Sequence, residues 1–241
     1  MDTTRIKQGD PKDARVEIDL PPEPLAGLLL VLDGTTASGE SLDPSRVGRL
    51  RVKRMGEQVQ GEDAAFYHDL ANVNKGYPTN TGGTGEPNHL AIPIPFAISG
   101  IPNVMDVQSN EEADLILDTT QGDLGTVFGS NNATYKLIGL VAPTVAEQYM
   151  LRVQESNIQS TGSGRQPGEF SAKNVASVYM RDPDDVVNEV QLDIDGDVAQ
   201  DTLGDDVLQD LTNLYNEVET SGLDLRQVHR PDQLTIPNTL N

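Results

Sequence analysis

The chain has 241 residues, and its 38 Asp and Glu against 17 Lys and Arg leave a formal net charge of −21. A field of that sign excludes nucleic acid as a partner for most of the surface, because phosphate binding needs clustered Lys and Arg to displace counterions. The absence of cysteine excludes disulfides, thiolate metal sites and every cysteine-nucleophile mechanism.

Asp outnumbers Glu 24 to 14 and Arg outnumbers Lys 11 to 6, so the acidity rests on the shorter, strongly hydrated carboxylate. The carboxylates run along the whole chain and not in a block, which separates this pattern from an acidic tail. It fits a protein of concentrated salt, where a Debye length of ~3 Å at 1 M removes most of the self-repulsion. With 36% hydrophobic residues, 4% aromatics and no Trp, the core is expected to be built from Val, Leu, Ile and Ala. Residues 1–15 are polar and mixed in charge, and no secretory signal is expected there. The longest apolar run, 25–32, is far short of the ~20 residues that span a bilayer, so a soluble or peripheral protein is expected.

In chain order, residues 1–13 read as an N-terminal arm. Val16, Ile18 and Leu20 alternate with charged neighbours and predict a half-buried strand stopped by Pro21 and Pro22. The run 25–32 predicts a strand buried on both faces and closed by Asp33-Gly34. After a Ser/Thr/Gly loop, 46–54 alternates again and turns at Met55-Gly56, with Val59 opening the return half of a hairpin. Ala65, Phe66, Leu70 and Val73 lie at helical spacing within 61–74, followed by a Gly/Pro loop. The segment 90–98 is apolar but carries Pro93 and Pro95, which marks an edge or bulged strand.

Short strands are expected at 113–117, 124–128, 135–141 and 147–153, then a polar loop at 155–171 and strands at 175–180 and 186–194. Residues 203–218 predict a second, amphipathic helix, acidic outside. Residues 221–241 read as an extended tail. Many short strands at even spacing, two short helices and no βαβ alternation predict an all-β fold, a single jelly-roll sandwich or barrel spanning 14–220 with loop insertions.

The chemical inventory is thin. His68, His89 and His229 stand in no metal or catalytic motif, and no nucleophile elbow, Walker loop or dinucleotide fingerprint appears. Asp193, Asp195 and Asp197 form the best cation candidate, since alternating carboxylates suit calcium, but Val198 stands where an EF-hand needs Gly and Gly204 where it needs Glu. No cofactor beyond loosely bound cations and no enzyme activity is expected. Arg46, Arg49, Arg51, Lys53 and Arg54 place five basic residues in nine positions. They read either as the solvated face of a strand or as an interface with acidic copies or anionic lipid.

The run RLRVKRMGEQV at 49–59, a strand turning at a glycine, leads directly into the helix at 63–73 and a Gly-Pro loop. With the Pro-interrupted strand 90–98 and the acidic, cysteine-free composition, it resembles the larger of the two major capsid proteins of haloarchaeal icosahedral viruses with an internal membrane, in the vertical single-jelly-roll lineage. That resemblance implies a structural protein of the virion. It would pack with itself and a second major capsid protein into pseudo-hexameric capsomers over a lipid membrane, with penton and internal membrane proteins as further neighbours. It also implies outward projections from 77–88 or 155–171 and locking roles for both termini. The alternative is a halophilic secreted or surface-layer-associated β-sandwich that binds carbohydrate or protein, against which the lack of Trp counts. A hydrolase has no distinguished residue to rest on.

Overall fold

The computed structural model describes residues 2–13, 15–75, 82–96, 104–142, 158, 164, 166–169, 177–182, 186–194, 197–216 and 225–229. Contacts divide the chain into two units, Met1–Val153 and Gln154–Asn241.

The first unit contains strands β1 (Asp2–Gly9), β2 (Arg15–Asp19), β3 (Pro24–Thr35), β4 (Arg49–Arg54), β5 (Glu57–Asp63), β6 (Pro87–Pro95), β7 (Met105–Asp106), β8 (Ala113–Asp118) and β9 (Ala133–Val141), with helices α1 (Ala64–Lys75) and α2 (Leu124–Phe128). Its pairings nest. β4 pairs β5, β3 pairs β6, β2 pairs β8 and β1 pairs β9, all antiparallel, as if one long ribbon were folded at the β4–β5 turn. The ribbon then rolls up: β3 also pairs β9, and β4 also pairs β8. Two sheets result, ordered β1-β9-β3-β6, with β7 beside β3, and β2-β8-β4-β5. This is the jelly-roll connectivity.

The alternation in the sequence fills the space between the sheets. Val16 and Ile18 of β2, Leu50 and Val52 of β4 and Leu115 and Leu117 of β8 face Leu28, Leu30 and Leu32 of β3 and Leu90, Ile92 and Ile94 of β6, all buried. Each such side chain contributes roughly 1.5–3 kcal/mol on burial. β3 is central, as its apolar run suggests, yet its second face is unevenly covered: Val31 is buried and Leu29 half-buried. β6 lies at a sheet edge, where Pro93 and Pro95 remove no needed ladder bond. α1 packs on β5 and β6 with Tyr67, Leu70 and Val73 buried.

Three readings of the sequence are corrected here. Residues 2–9 of the expected N-terminal arm form β1, paired along β9; Ile6 packs against the core, and backbone hydrogen bonds set the strand's place while leaving no apolar alternation to read. Residues 124–128 form a helical turn and not a strand, because Leu124, Val127 and Phe128 stand at i, i+3 and i+4 and are buried together. The tail contains a strand, β13 (Leu225–His229), with Leu225 and Val228 buried. The expected single span 14–220 also crosses the division at 153/154. The strand expected at 147–153, the loop at 77–81 and most of the loop at 155–171 lie outside the described residues.

The second unit holds β10 (Val178–Arg181) against β13, β11 (Glu189–Ile194) against β12 (Asp197–Gly204), and helix α3 (Asp205–Asn216); of the expected helix 203–218, residues 203–204 belong to β12 and 217–218 lie outside the described residues. α3 packs on β13. Thr212 donates through Oγ1 to Leu208 O at 2.7 Å and accepts from Gln227 N at 3.1 Å, which joins helix to strand. Among the described residues, no helix is long and apolar enough to cross a membrane.

Candidate functional site

The basic stretch at 46–54 divides between two settings. Arg46 belongs to a 3-10 turn, Pro44–Arg46, that Asp43 caps by accepting from Ser45 N. Its guanidinium grips the Asp123 carboxylate with two bonds of 2.8 and 2.6 Å and also meets Glu40. Asp123 N donates to Arg46 O at 2.9 Å, so the turn and the start of α2 are tied by backbone and side chain together. The hydrogen bonds to Asp123 and then Glu40 hold the guanidinium even more firmly protonated than usual. Replacing Arg46 by Ala is expected to lower unfolding free energy by about 1 kcal/mol in chemical denaturation, and Lys to restore little of it because it lacks the planar fork.

β4 carries the other four. Its inward positions hold Leu50 and Val52, so Arg49 and Arg51 stand on the outer face of the β2-β8-β4-β5 sheet. A register shift between Val52 and Lys53 then breaks the alternation. Arg49 donates to Gly61 O at 2.7 Å, Arg51 pairs with Asp118 at 3.2 Å and Arg54 with Glu111 at 2.6 Å. Thr120, followed by Arg51 among the charges, holds the Asp118 carboxyl below its ordinary range, and Arg54 does the same for Glu111. The residues brought together here are therefore largely neutralised within the chain. Lys53 differs: it lies across from Asp114 in register, but no ion pair ties it among the described residues.

The same face contains a carboxylate conflict. Asp19 of β2 stands opposite Asp114 of β8, with Glu17 and Glu112 near. Burial, then the charges of Asp19, Glu17 and Glu112, push the Asp114 carboxyl up. Like charges directly opposite across a sheet are destabilising, so Asp114→Asn is expected to stabilise the fold by about 0.5 kcal/mol in dilute neutral buffer. Because the folded-state value is raised, the repulsion is fully present above it and is relieved as pH falls through it. The advantage of the Asn variant should therefore vanish in acid, which unfolding midpoints across pH will show.

On the opposite sheet, Asp33 of β3 receives Lys136 Nζ at 2.8 Å and His89 Nδ1 at 2.6 Å. Burial pushes its carboxyl up, but the bonds from Lys136 and then His89 outweigh that and hold it below the usual range. Asp33 and His89 border an open groove of about 470 Å³ lined also by Gly34, Thr35, Gly82, Pro87, Asn88 and Asn132. No sequence pattern marks this cluster; it forms because the β3–β6 register sets His89 across from Asp33. His68 lies buried on α1 with Nδ1 3.2 Å from Asn72 Nδ2, a setting apart from His89.

Of the cation candidate, Asp193 lies next to the last residue of β11 and accepts from Gln191 Nε2 at 2.8 Å, Asp197 begins β12 across the hairpin, and Asp195 lies outside the described residues. Among the described residues, no three His, Asp or Glu group as metal ligands would.

No protein-family model matches the sequence, and no curated protein matches it. Solved structures do. The STIV major capsid protein superposes with a TM-score of 0.58 at 12% identity, over 94% of this chain and 83% of that one. A chain of the PBCV-1 virus capsid gives 0.53 at 7% identity, over 94% and 76%. PBCV-1 VP54, fitted into a reconstruction of the virophage Sputnik, gives 0.40 at 7% identity over 59% of this chain, which spans less than half of that protein's length. The architecture is thus a jelly roll shared with viral major capsid proteins.

Proposed function

We propose that this chain is a major capsid protein, located in the virion, whose jelly-roll units pack side by side into an icosahedral shell. The observation that carries the reading is the nested strand ribbon of the first unit, together with a likeness to the STIV major capsid protein that runs over 94% of this chain. A lattice protein needs broad, rigid lateral faces and no reaction centre, and multivalent weak contacts then hold the shell. The charged sheet face and the basic strand supply such a surface, with Arg46, Arg49, Arg51 and Arg54 shaping it from within and Lys53 left to meet a neighbour.

The finer reading adds a second major capsid protein in each capsomer, penton and internal membrane proteins, a peripheral contact with an underlying lipid membrane, and concentrated salt as the working medium. The −21 charge supports the last of these, since copies of so acidic a chain repel one another unless screened. Asp193, Asp195 and Asp197 then bind cations loosely, as part of that screening. The test is sedimentation and negative-stain electron microscopy of the purified chain in about 2 M KCl and after dilution, across the range over which the Debye length grows several-fold. Multimers that fall apart on dilution are expected. A folded monomer at every salt and protein concentration overturns the proposal.

A further inference from the structure

We propose that Asn132 is a modification site, the acceptor of an N-linked glycan whose first sugar lies in the open groove beside it. Of the chain's 15 asparagines, Asn132 alone is followed two positions on by Ser or Thr, in Asn132-Ala133-Thr134. That is the pattern that glycan-transferring enzymes accept when the middle residue is not Pro. A tripeptide arises easily by chance, so its setting in the fold decides.

Asn131 and Asn132 are neighbours put to different uses. Asn131 Nδ2 donates to Thr35 O at 3.1 Å and to Thr36 O at 3.0 Å, and Asn131 O receives Lys12 Nζ at 3.0 Å. Asn132 is exposed, and its side chain makes no hydrogen bond among the described residues. The fold thus uses one amide as a clamp and leaves the next free to react. In β9, Tyr135 and Leu137 turn inward while Thr134 and Lys136 stand on the outer side. Alternation sets Asn132 on that same side, so an enzyme meets the acceptor amide and the Thr134 hydroxyl together.

Asn132 also lines the groove of about 470 Å³ that Asp33 and His89 border. Gly34 and Gly82 line it without side chains and leave room, and Pro87 is the one apolar side chain in the lining, so an apolar ligand finds little to bury against. A sugar finds more. Its hydroxyls both donate and accept, and the Asp33 carboxylate keeps lone pairs beyond those that Lys136 and His89 use, with the Thr35 hydroxyl close by.

In the transfer, Asn132 Nδ2 forms a bond to the anomeric carbon of a sugar diphosphate donor. The bond from that carbon to the diphosphate oxygen breaks, and the diphosphate leaves with the electron pair. The amide proton passes to a carboxylate of the transferase, and nothing is oxidised or reduced. The carrier on the diphosphate is a nucleotide or a lipid.

The experiment compares the full chain from the cells or particles in which it is naturally made with the chain made in a bacterium that lacks N-glycosylation, by intact mass and peptide mapping. The natural protein is expected to carry extra sugar mass on the peptide that holds Asn132: one fixed block for a lipid carrier, a ladder of single sugars for a nucleotide carrier. Expressed in the same cells, Thr134→Ser keeps the added mass, whereas Thr134→Ala and Asn132→Gln lose it. In the bacterial protein Asn132→Gln leaves the unfolding midpoint within about 2 °C of wild type, because the free side chain supports nothing, while Asn131→Gln lowers it further. An unmodified Asn132 in the natural protein overturns the inference, as does sugar that persists in Thr134→Ala, or an Asn132→Gln variant that unfolds as early as Asn131→Gln. The capsid reading stands or falls separately, on self-association.

Discussion

Gly48→Ala is expected to lower the unfolding free energy by more than about 3 kcal/mol, enough to leave much of the protein unfolded at ordinary temperatures. Gly48 has φ +101°, a conformation closed to residues with a side chain, and a Cβ built there would sit 2.3 Å from Asp118 O and 3.1 Å from Thr119 Cα. Both obstacles are backbone, so neither can swing aside. Across the same crossing, a Cβ on Gly122 would meet Arg46 O at 2.3 Å and Val47 C at 2.7 Å. The two glycines let the segment entering β4 pass directly under the segment leaving β8, and Ala64 N donates to Gly48 O at 2.9 Å to place the start of α1 at the same point. A methyl at either position pushes apart three elements at one end of the barrel. Two other glycines calibrate the effect. Gly39 has φ +84° but nothing within 4 Å, so Gly39→Ala should cost only the backbone strain, roughly 1 kcal/mol; Gly125 lies in α2 with open space around it, so Gly125→Ala should be neutral or slightly stabilising. Urea denaturation of the four variants gives the comparison. Equal losses for Gly48→Ala and Gly39→Ala would show that the close crossing contributes nothing beyond strain.

What could be read from the sequence followed from side-chain burial, and what could not followed from backbone pairing and long separations. β2, β4 and β8 each bury alternate residues between two sheets, so Val16 and Ile18, Leu50 and Val52, and Leu115 and Leu117 announce themselves by period 2. Pro93 and Pro95 likewise marked an edge, because a central strand would have needed their missing N–H groups. β1 announces nothing: its sequence is polar and it is held by β9, whose partner positions lie more than 120 residues away. α2 was misread because five apolar-rich residues are too few to distinguish a strand from one helical turn. The strand order was legible only as a class, since no local pattern says that β3 lies between β6 and β9. The candidate surface behaves the same way. The density of Arg and Lys at 46–54 was plain, but their partners Asp118, Glu111 and Asp123 stand 57 to 77 positions away and become neighbours only when β8 and the segments flanking it close on β4.

The second large effect concerns salt, and it bears on the net charge directly. Moving the dissociated protein from about 0.1 M to about 2 M KCl shortens the Debye length from ~10 Å to 2–3 Å, so repulsion between carboxylates that are neighbours in the sheet but not in contact is largely removed. The folded state gathers those charges, and the unfolded chain spreads them, so screening favours folding and the thermal midpoint is expected to rise by on the order of 10 °C. Intrachain pairs such as Arg51–Asp118 and Arg54–Glu111 weaken under the same conditions, but cations number 17 against 38 carboxylates, and unpaired repulsion dominates the sum. Chloride must be used and not sulfate, which also strengthens burial of apolar groups. Sucrose at matched concentration controls for that effect. Asp114→Asn supplies an internal check: part of the wild type's salt dependence comes from the Asp19–Asp114 conflict, so the variant's midpoint should rise less steeply with KCl. A midpoint that stays level from 0.1 to 2 M would mean that the acidity is not a stability adaptation to salt, and would leave assembly between copies as the one process on which screening could act.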